Sequence, residues 1–108
     1  MKVKSRIWIE KDNIPFLGNG RIQLLKEVDK THSMSAAAKS LNMSYKKAWR
    51  LLNEINSSAK EPVLDKQIGG KHGGGTHITP YGKRLIERFE KLNEACIGFL
   101  EKEFKNWE

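Results

Sequence analysis

Cysteine is almost absent from this chain of 108 residues, which limits the ways in which the fold can be crosslinked. The single cysteine, Cys96, has no second cysteine with which to form a disulfide or a zinc knuckle, so we interpret it as a small apolar helix residue. The histidines, His32, His72 and His77, lack the spacing that is typical of metal ligands. The sequence therefore predicts neither a bound metal nor a cofactor.

Long apolar runs are also missing. No stretch approaches the roughly 20 apolar residues that a transmembrane helix needs, and the amino terminus lacks the apolar core of a secretory signal, so we expect a cytoplasmic protein. Asp12, Asp29 and Asp65 are scattered over different predicted elements, and no serine lies in a nucleophile-elbow pattern. The sequence therefore predicts a protein that is not an enzyme, and its length predicts one domain over residues 1–108.

Positive charge is what the chain has in excess. Lysine and arginine number 20 against 13 aspartates and glutamates, which gives a formal charge of +7 and a pI near 9.6. A surface of this sign attracts polyanions, and nucleic acid and an anionic membrane are the two candidates. Charge alone does not choose between them, so the choice depends on where the basic side chains lie.

Hydrophobic periodicity predicts a mainly α-helical fold with a small β wing. Alternating apolar residues over Val3–Ile9 predict a strand, and residues 12–15 have the composition of a turn. Apolar residues at helical spacing predict a first helix that ends near His32. Farther along, residues 63–79 predict a hairpin, and residues 80–105 predict a long last helix that begins with a proline.

The segment from about residue 35 to 58 has the organisation of a helix-turn-helix. Ser33 or Ser35 is placed to cap a short helix that ends at Asn42. After a turn of about three residues, Ser44 is placed to cap a third helix. The spacing predicts the geometry that sets a recognition helix in the major groove of DNA.

Basic residues of the third helix are concentrated in its first turns, where a recognition helix contacts bases. Its apolar face contains Ala48, Leu51, Leu52 and Ile55, and Trp49 lies near the edge of that face. The predicted DNA-contacting residues of this segment are Ser35, Ser44, Tyr45, Lys46, Lys47 and Arg50. The pattern leaves open an ordinary helical hairpin with solvated lysines.

A glycine-rich loop, Gly69–Gly75, joins the two predicted strands of the wing. It does not match a nucleotide-binding P-loop, because Gly70 and Lys71 are followed by His72 and not by serine or threonine. Glycine instead allows the loop to approach a phosphate backbone closely, so Lys71 and His72 are predicted to contact DNA. A merely flexible loop is the alternative.

Apolar residues recur along the last helix in a stripe wider than one small domain needs. This stripe predicts a homodimer interface that contains Leu85, Phe89, Leu92, Phe99 and Leu100. The alternative is that the stripe packs entirely on the first helix and strand of the same chain. Trp8, Trp49 and Trp107 lie far apart in sequence, so we interpret them as core or interface residues and not as a platform for stacking bases.

Three segments carry a resemblance to a known family: residues 33–49 (S-M-S-A-A-A-K-S-L-N-M-S-Y-K-K-A-W), the glycine wing at residues 69–75, and Ile78-Thr79-Pro80-Tyr81-Gly82. Together they resemble the amino-terminal domain of ModE-type molybdate-responsive regulators, and the helix-turn-helix part is similar to the wider LysR-type group. The resemblance implies a dimeric winged-helix transcription factor with its third helix in the major groove. The molybdate-binding β-barrel repeats of that family have no counterpart in the sequence, so we do not expect molybdate to bind this chain.

The sequence thus predicts a homodimeric transcriptional regulator that binds double-stranded DNA in a sequence-specific manner. The alternative function is a winged-helix protein-interaction module that docks an acidic protein partner.

Overall fold

The computed structural model describes residues 1–67 and 75–108, and this part of the chain contains four helices and two antiparallel two-stranded sheets. The elements in chain order are β1 (Trp8–Lys11), β2 (Ile14–Gly18), α1 (Asn19–Thr31), α2 (Met34–Ser40), α3 (Tyr45–Ser58), β3 (Leu64–Gln67), β4 (Gly75–Ile78) and α4 (Pro80–Phe104). The predicted fold class, mainly α with a small β wing and a long last helix, is confirmed. Lys71 and His72 lie outside the described residues.

The first hairpin differs from the prediction. Residues 1–7 have no regular secondary structure, so the strand predicted over Val3–Ile9 is wrong in most of its length. Asp12 and Asn13 have φ values of 53° and 64°, as the two central residues of a type I′ hairpin turn require. Pro15, which the composition placed in a turn, lies in β2 opposite Glu10. Proline is tolerated there because a two-stranded sheet has only edge strands.

The turn between α2 and α3 is fixed by a Schellman motif. The Met43 N–H donates to the Ala38 carbonyl at 2.9 Å, and the Asn42 N–H donates to the Lys39 carbonyl at 3.1 Å. Asn42 adopts the left-handed conformation, with φ of 54°, at the position where glycine is most common. Four residues, 41–44, therefore suffice to reverse the chain between the two helices.

Apolar faces of α1, α2 and α3 meet in one core, which extends under β3 and β4. The largest fully buried side chains are Ile22, Leu24, Leu25, Val28, Leu52, Ile55 and Val63. Full burial of such a side chain stabilises a fold by roughly 1.5–3 kcal/mol. This packing sets the orientation of α3, whose opposite face remains outside.

Both strands of the wing are hydrogen-bonded to the helical part of the fold. Asn56 of α3 accepts hydrogen bonds from the backbone N–H groups of Val63, at 2.7 Å, and Leu64, at 3.1 Å, through its Oδ1 atom. On the other strand, the Thr76 N–H donates to the carbonyl of His32, which ends α1 in the left-handed conformation. The position of β3 and β4 therefore follows that of α1 and α3.

The last helix, α4, extends well beyond the core. Its 25 residues correspond to about 37 Å of helix, and the described chain measures 61 × 28 × 22 Å. Ile86 and Phe89, in the first turns of α4, are buried in the core. Residues 1–7 lie beside the later turns, where the Cys96 thiol donates to Ser5 Oγ at 3.8 Å. The half-buried residues along this covered side of α4 are Asn93, Cys96, Leu100 and Phe104.

Candidate nucleic-acid interface

Serine side chains cap the two helices of the helix-turn-helix. Ser44 Oγ accepts a hydrogen bond from the Lys47 N–H at 3.1 Å, as the sequence predicted. For α2 the cap is Ser33, which accepts from the Ala36 N–H at 3.0 Å, whereas Ser35 lies exposed in the first turn. The first turn of α3 contains no acidic residue, so the partial positive charge of the helix terminus adds to that of its lysines.

The first two turns of α3 present a basic outer face. Ala48, Leu52 and Ile55 are buried on the inner side of the helix. On the outer side Tyr45 is 54% exposed, and Lys46, Lys47 and Arg50 are exposed as well. The structure thus brings together all the residues of α3 that the sequence predicted as DNA contacts, and it leaves their side chains accessible.

Arg50 belongs to a small ion-pair network that the sequence analysis missed. Glu54 accepts from Arg50 Nη1 at 3.0 Å through Oε1, and from Arg21 Nη2 of α1 at 2.7 Å through Oε2. Loss of solvent raises the pKa of Glu54, but the hydrogen bonds and positive charges of the two arginines outweigh this effect and hold the pKa below its usual value. The carboxylate therefore stays charged and links α3 to α1.

The tryptophans do not lie in the core of the described chain. Trp8 is 55% exposed, Trp49 is 45% exposed and Trp107 is 70% exposed, so of the two predicted roles, core or interface, the core role is wrong and the interface role stays a prediction. The Trp8 indole N–H donates to Glu10, and the Trp107 ring packs against Phe104 with centroids 4.7 Å apart. The Trp49 ring lies beside the basic face of α3 and not within its buried face.

A cleft of about 540 Å³ opens between the first hairpin, α1 and α3. Arg6, Trp8, Arg21 and Lys47 are among the residues that line it. The cleft is not visible in the sequence, because it joins residues that are far apart in the chain. Of the side chains in it, only Lys47 had been predicted as a site residue.

The residues predicted as a dimer interface lie in three different environments. Phe89 is 4% exposed and belongs to the core of its own chain, so it is not available for contact with a second chain. Leu85 packs partly against that core, and Leu100 is half-buried on the side covered by residues 1–7. Leu92 is 50% exposed and Phe99 is 62% exposed. An apolar surface thus remains on α4, but it is narrower than the predicted stripe.

His32 and His77, which are distant in sequence, lie together with ring centroids 4.8 Å apart. Over the described ranges there is no group of three or more histidine, cysteine or acidic side chains that could hold a metal ion. Within the same ranges, no helix combines the length and the apolar composition needed to cross a bilayer.

Comparison with known proteins found relatives for most of the chain, although no family model matches it. The transcriptional regulator ModE of Yersinia pestis is 44% identical over 67% of this chain and 27% of its own length. The corresponding regulator of Haemophilus influenzae is 40% identical over 74% of this chain and 31% of its own length. The DNA-binding transcriptional dual regulator ModE of Escherichia coli K12 is 42% identical over 67% of this chain and 28% of its own length.

The chain thus spans less than a third of each of these three proteins. Such a match is consistent with the amino-terminal domain alone, as the sequence motifs predicted. Over the residues that it shares with them, this chain is a homologue of the ModE-type transcriptional regulators.

Proposed function

We propose that this chain binds double-stranded DNA in a sequence-specific manner, as the DNA-binding domain of a dimeric transcriptional regulator, with α3 in the major groove. The observation that carries the proposal is the first half of α3. Its start is capped by Ser44, its inner face is held by the core, and Tyr45, Lys46, Lys47 and Arg50 are all exposed in its first two turns. This is the part of a recognition helix that contacts base edges.

The dimensions of α3 support this mode of binding. An α-helix with its side chains is about 10–12 Å wide, which matches the roughly 12 Å width of the major groove. Arg50 lies on the outer face, one turn beyond Lys46. In the proposed complex its guanidinium would reach the floor of the groove. Arginine is suited to guanine, whose O6 and N7 atoms accept two parallel hydrogen bonds in that groove.

The wing contributes contacts to the backbone in this proposal. Its strands are fixed to α3 by Asn56 and to the end of α1 by His32, so β3 and β4 lie to one side of the recognition helix. Lys71 and His72 of the glycine-rich loop would neutralise phosphates without reading the sequence. Ser35, at the exposed start of α2, is proposed as a further contact to the backbone.

Dimerisation through α4 is the second part of the proposal. Leu92 and Phe99 are seven residues apart and therefore lie on one side of the helix, with Leu85 a further seven residues toward its start. Their exposed apolar surface would be covered by the same helix of a second chain. A two-fold dimer would place two α3 helices about 34–36 Å apart, so the bound site would be an inverted repeat.

Selection of duplexes from a random library by the purified chain tests the proposed function. We expect one sequence to be enriched, and its affinity to exceed that for a scrambled duplex and to fall steeply as salt rises from about 50 to 200 mM. The relatives named as transcriptional regulators support this expectation. Weak binding that does not depend on sequence would contradict it and would favour the module that docks an acidic protein.

A further inference from the structure

The cleft beside α3 is lined by positive charge from three separate elements. Arg6 comes from the amino-terminal segment, Arg21 from the first turn of α1, and Lys47 from the first turn of α3. No aspartate or glutamate is among the residues that the structure places around this cleft. Glu54 pairs with Arg21, but no acidic side chain of the described residues lines the cleft beside Arg6 and Lys47, so a negative group that binds there would be attracted by both.

The start of α1 adds to this field. Gly18 is the N-cap of α1 and offers no side chain to its first N–H groups, and the first turn contains no acidic residue. Gly18, Asn19 and Gly20 all line the cleft. The uncapped N–H groups and the helix dipole therefore direct partial positive charge toward the space that the three cations surround.

Arg21 is the most constrained of these cations. Its Nη2 atom is held by Glu54 at 2.7 Å, and its side chain is 17% exposed. Its Nη1 atom is buried and has no hydrogen-bond partner among the described residues. Since buried donors are rarely left unpaired, Nη1 has bonding capacity that the described residues do not fill.

The position of the cleft relative to α3 identifies the source of the negative charge. Asn56 marks the side of α3 that faces the wing, whereas Lys47, Leu51 and Glu54 lie on the side that faces the cleft and Arg21. A helix in the major groove has a phosphodiester strand along each of its two sides. The wing and the cleft therefore lie toward opposite walls of the groove.

We propose that this cleft binds the phosphodiester backbone on the wall of the major groove opposite the wing, with Arg6, Arg21 and Lys47 as its cationic ligands. The inference rests on the proposed function and assigns to Arg6 and Arg21 a role that the sequence did not reveal.

Replacement of Arg6 tests the site without disturbing the core, because Arg6 is exposed. Loss of one phosphate contact lowers the slope of log affinity against log salt by about 0.9, and we expect Arg6→Ala to show this change on specific and scrambled duplexes alike. Lys4→Ala is the matched control. It removes the same charge from the same segment, but Lys4 lies beside Glu101 and Phe104 of α4, away from the cleft. Its salt slope should equal that of the wild type.

A second measurement locates the phosphate. In a series of enriched duplexes, single phosphates are replaced by neutral methylphosphonates. One or two positions should weaken wild-type binding by roughly three- to tenfold, and the same positions should have a clearly smaller effect on Arg6→Ala, in which Arg21 and Lys47 remain. Equal salt slopes for Arg6→Ala and Lys4→Ala, or additive losses at every position, would overturn the inference. Failure of the wild type to bind duplex DNA would instead overturn the proposed function itself.

Discussion

Arg50 and Arg21 share the carboxylate of Glu54, and this sharing determines how easily Arg50 leaves its ion pair to contact another group. An exposed ion pair within one helix contributes little to stability, so the contact with Glu54 holds Arg50 only weakly. If Arg50 turns toward a base, Glu54 keeps its bond to Arg21 and is not left as an unpaired charge. The network therefore lets Arg50 exchange partners without loosening α3 from α1.

We predict that Arg50→Ala weakens binding to the enriched duplex by about 1–3 kcal/mol and relaxes the preference at one base position. Binding to a scrambled duplex should change much less. Arg88→Ala, which removes the same charge from the exposed part of α4, is the control and should keep the full preference. Titration of both variants against single-base variants of the duplex measures the effect, and an unchanged base preference in Arg50→Ala would remove this residue from the site.

The Ser44 cap and the exposure of the basic residues of α3 agree with the sequence, because both depend on local capping and on helical periodicity. The DNA contacts of these residues stay a prediction. The Glu54 contact with Arg50 was visible in principle, since the two residues are four positions apart. The contact with Arg21 was not, because it depends on how α1 packs against α3. The exposure of Trp49 was missed for a similar reason, as the helical pattern places it only near the boundary of the buried face.

At the scale of the elements, the wing and the first turn of α4 are in close contact. Thr79 caps α4 by accepting from the Gly82 N–H, and its own hydroxyl donates to the Pro62 carbonyl at 2.7 Å. A Cβ atom on Gly82 would lie 2.3 Å from the Val63 carbonyl oxygen and 2.8 Å from Ile78 Cγ2. Glycine at this position therefore allows the first turn of α4 to pack directly on the wing.

We predict opposite effects of alanine at the two glycines of α4. Gly82→Ala should lower the free energy of unfolding by roughly 1–3 kcal/mol or more, because the backbone of the wing has to move away. Gly98→Ala, where no atom lies within 4 Å of the added Cβ, should raise it by about 0.5–1 kcal/mol through its higher helix propensity. Urea denaturation of both variants measures the free energy of unfolding. If Gly82→Ala leaves this free energy unchanged, the packing at the junction is looser than described.

The helices were predicted more accurately than the first hairpin, and the reason is physical. Ile22, Leu24, Leu25 and Val28 repeat at helical spacing and are all buried on α1, so the pattern and the packing agree. In the hairpin, Asp12 and Asn13 adopt positive φ without glycine, and Pro15 lies within a strand. Pairing across β1 and β2 overrides these local preferences, which single-residue tendencies do not anticipate.

For the whole molecule, the two sides of α4 differ in a way that the sequence does not reveal. Residues 1–7 lie beside one side of its later turns, and Leu100 is half-buried in the same chain. Leu92 and Phe99 remain on the neighbouring side. Ile97 is 42% exposed as well, but it lies among Glu90, Glu94 and Glu101, at helical spacings of seven, three and four residues. An apolar partner is therefore expected on the Phe99 side only.

Sedimentation at micromolar concentration should show that the wild-type chain is a dimer and that Phe99→Glu is a monomer. A buried glutamate at the interface would have to lose its hydration without gaining a partner. Ile97→Glu, on the same helix and with the same change in charge, should remain dimeric. Equal effects of the two substitutions, or a wild type that is monomeric and protects a single asymmetric half-site, would rule out this interface.

The most direct test of the central proposal, that α3 reads bases in the major groove, is a scan of the enriched duplex with deaza-purines. Replacing a purine by its 7-deaza analogue removes the N7 acceptor from the major groove, whereas 3-deaza-adenine removes an acceptor from the minor groove. We predict that several 7-deaza positions in each half-site lower the affinity, by about 1–3 kcal/mol where a bidentate contact is lost, and that Arg50→Ala is insensitive to one of them. A scan in which no 7-deaza position affects binding would contradict the account.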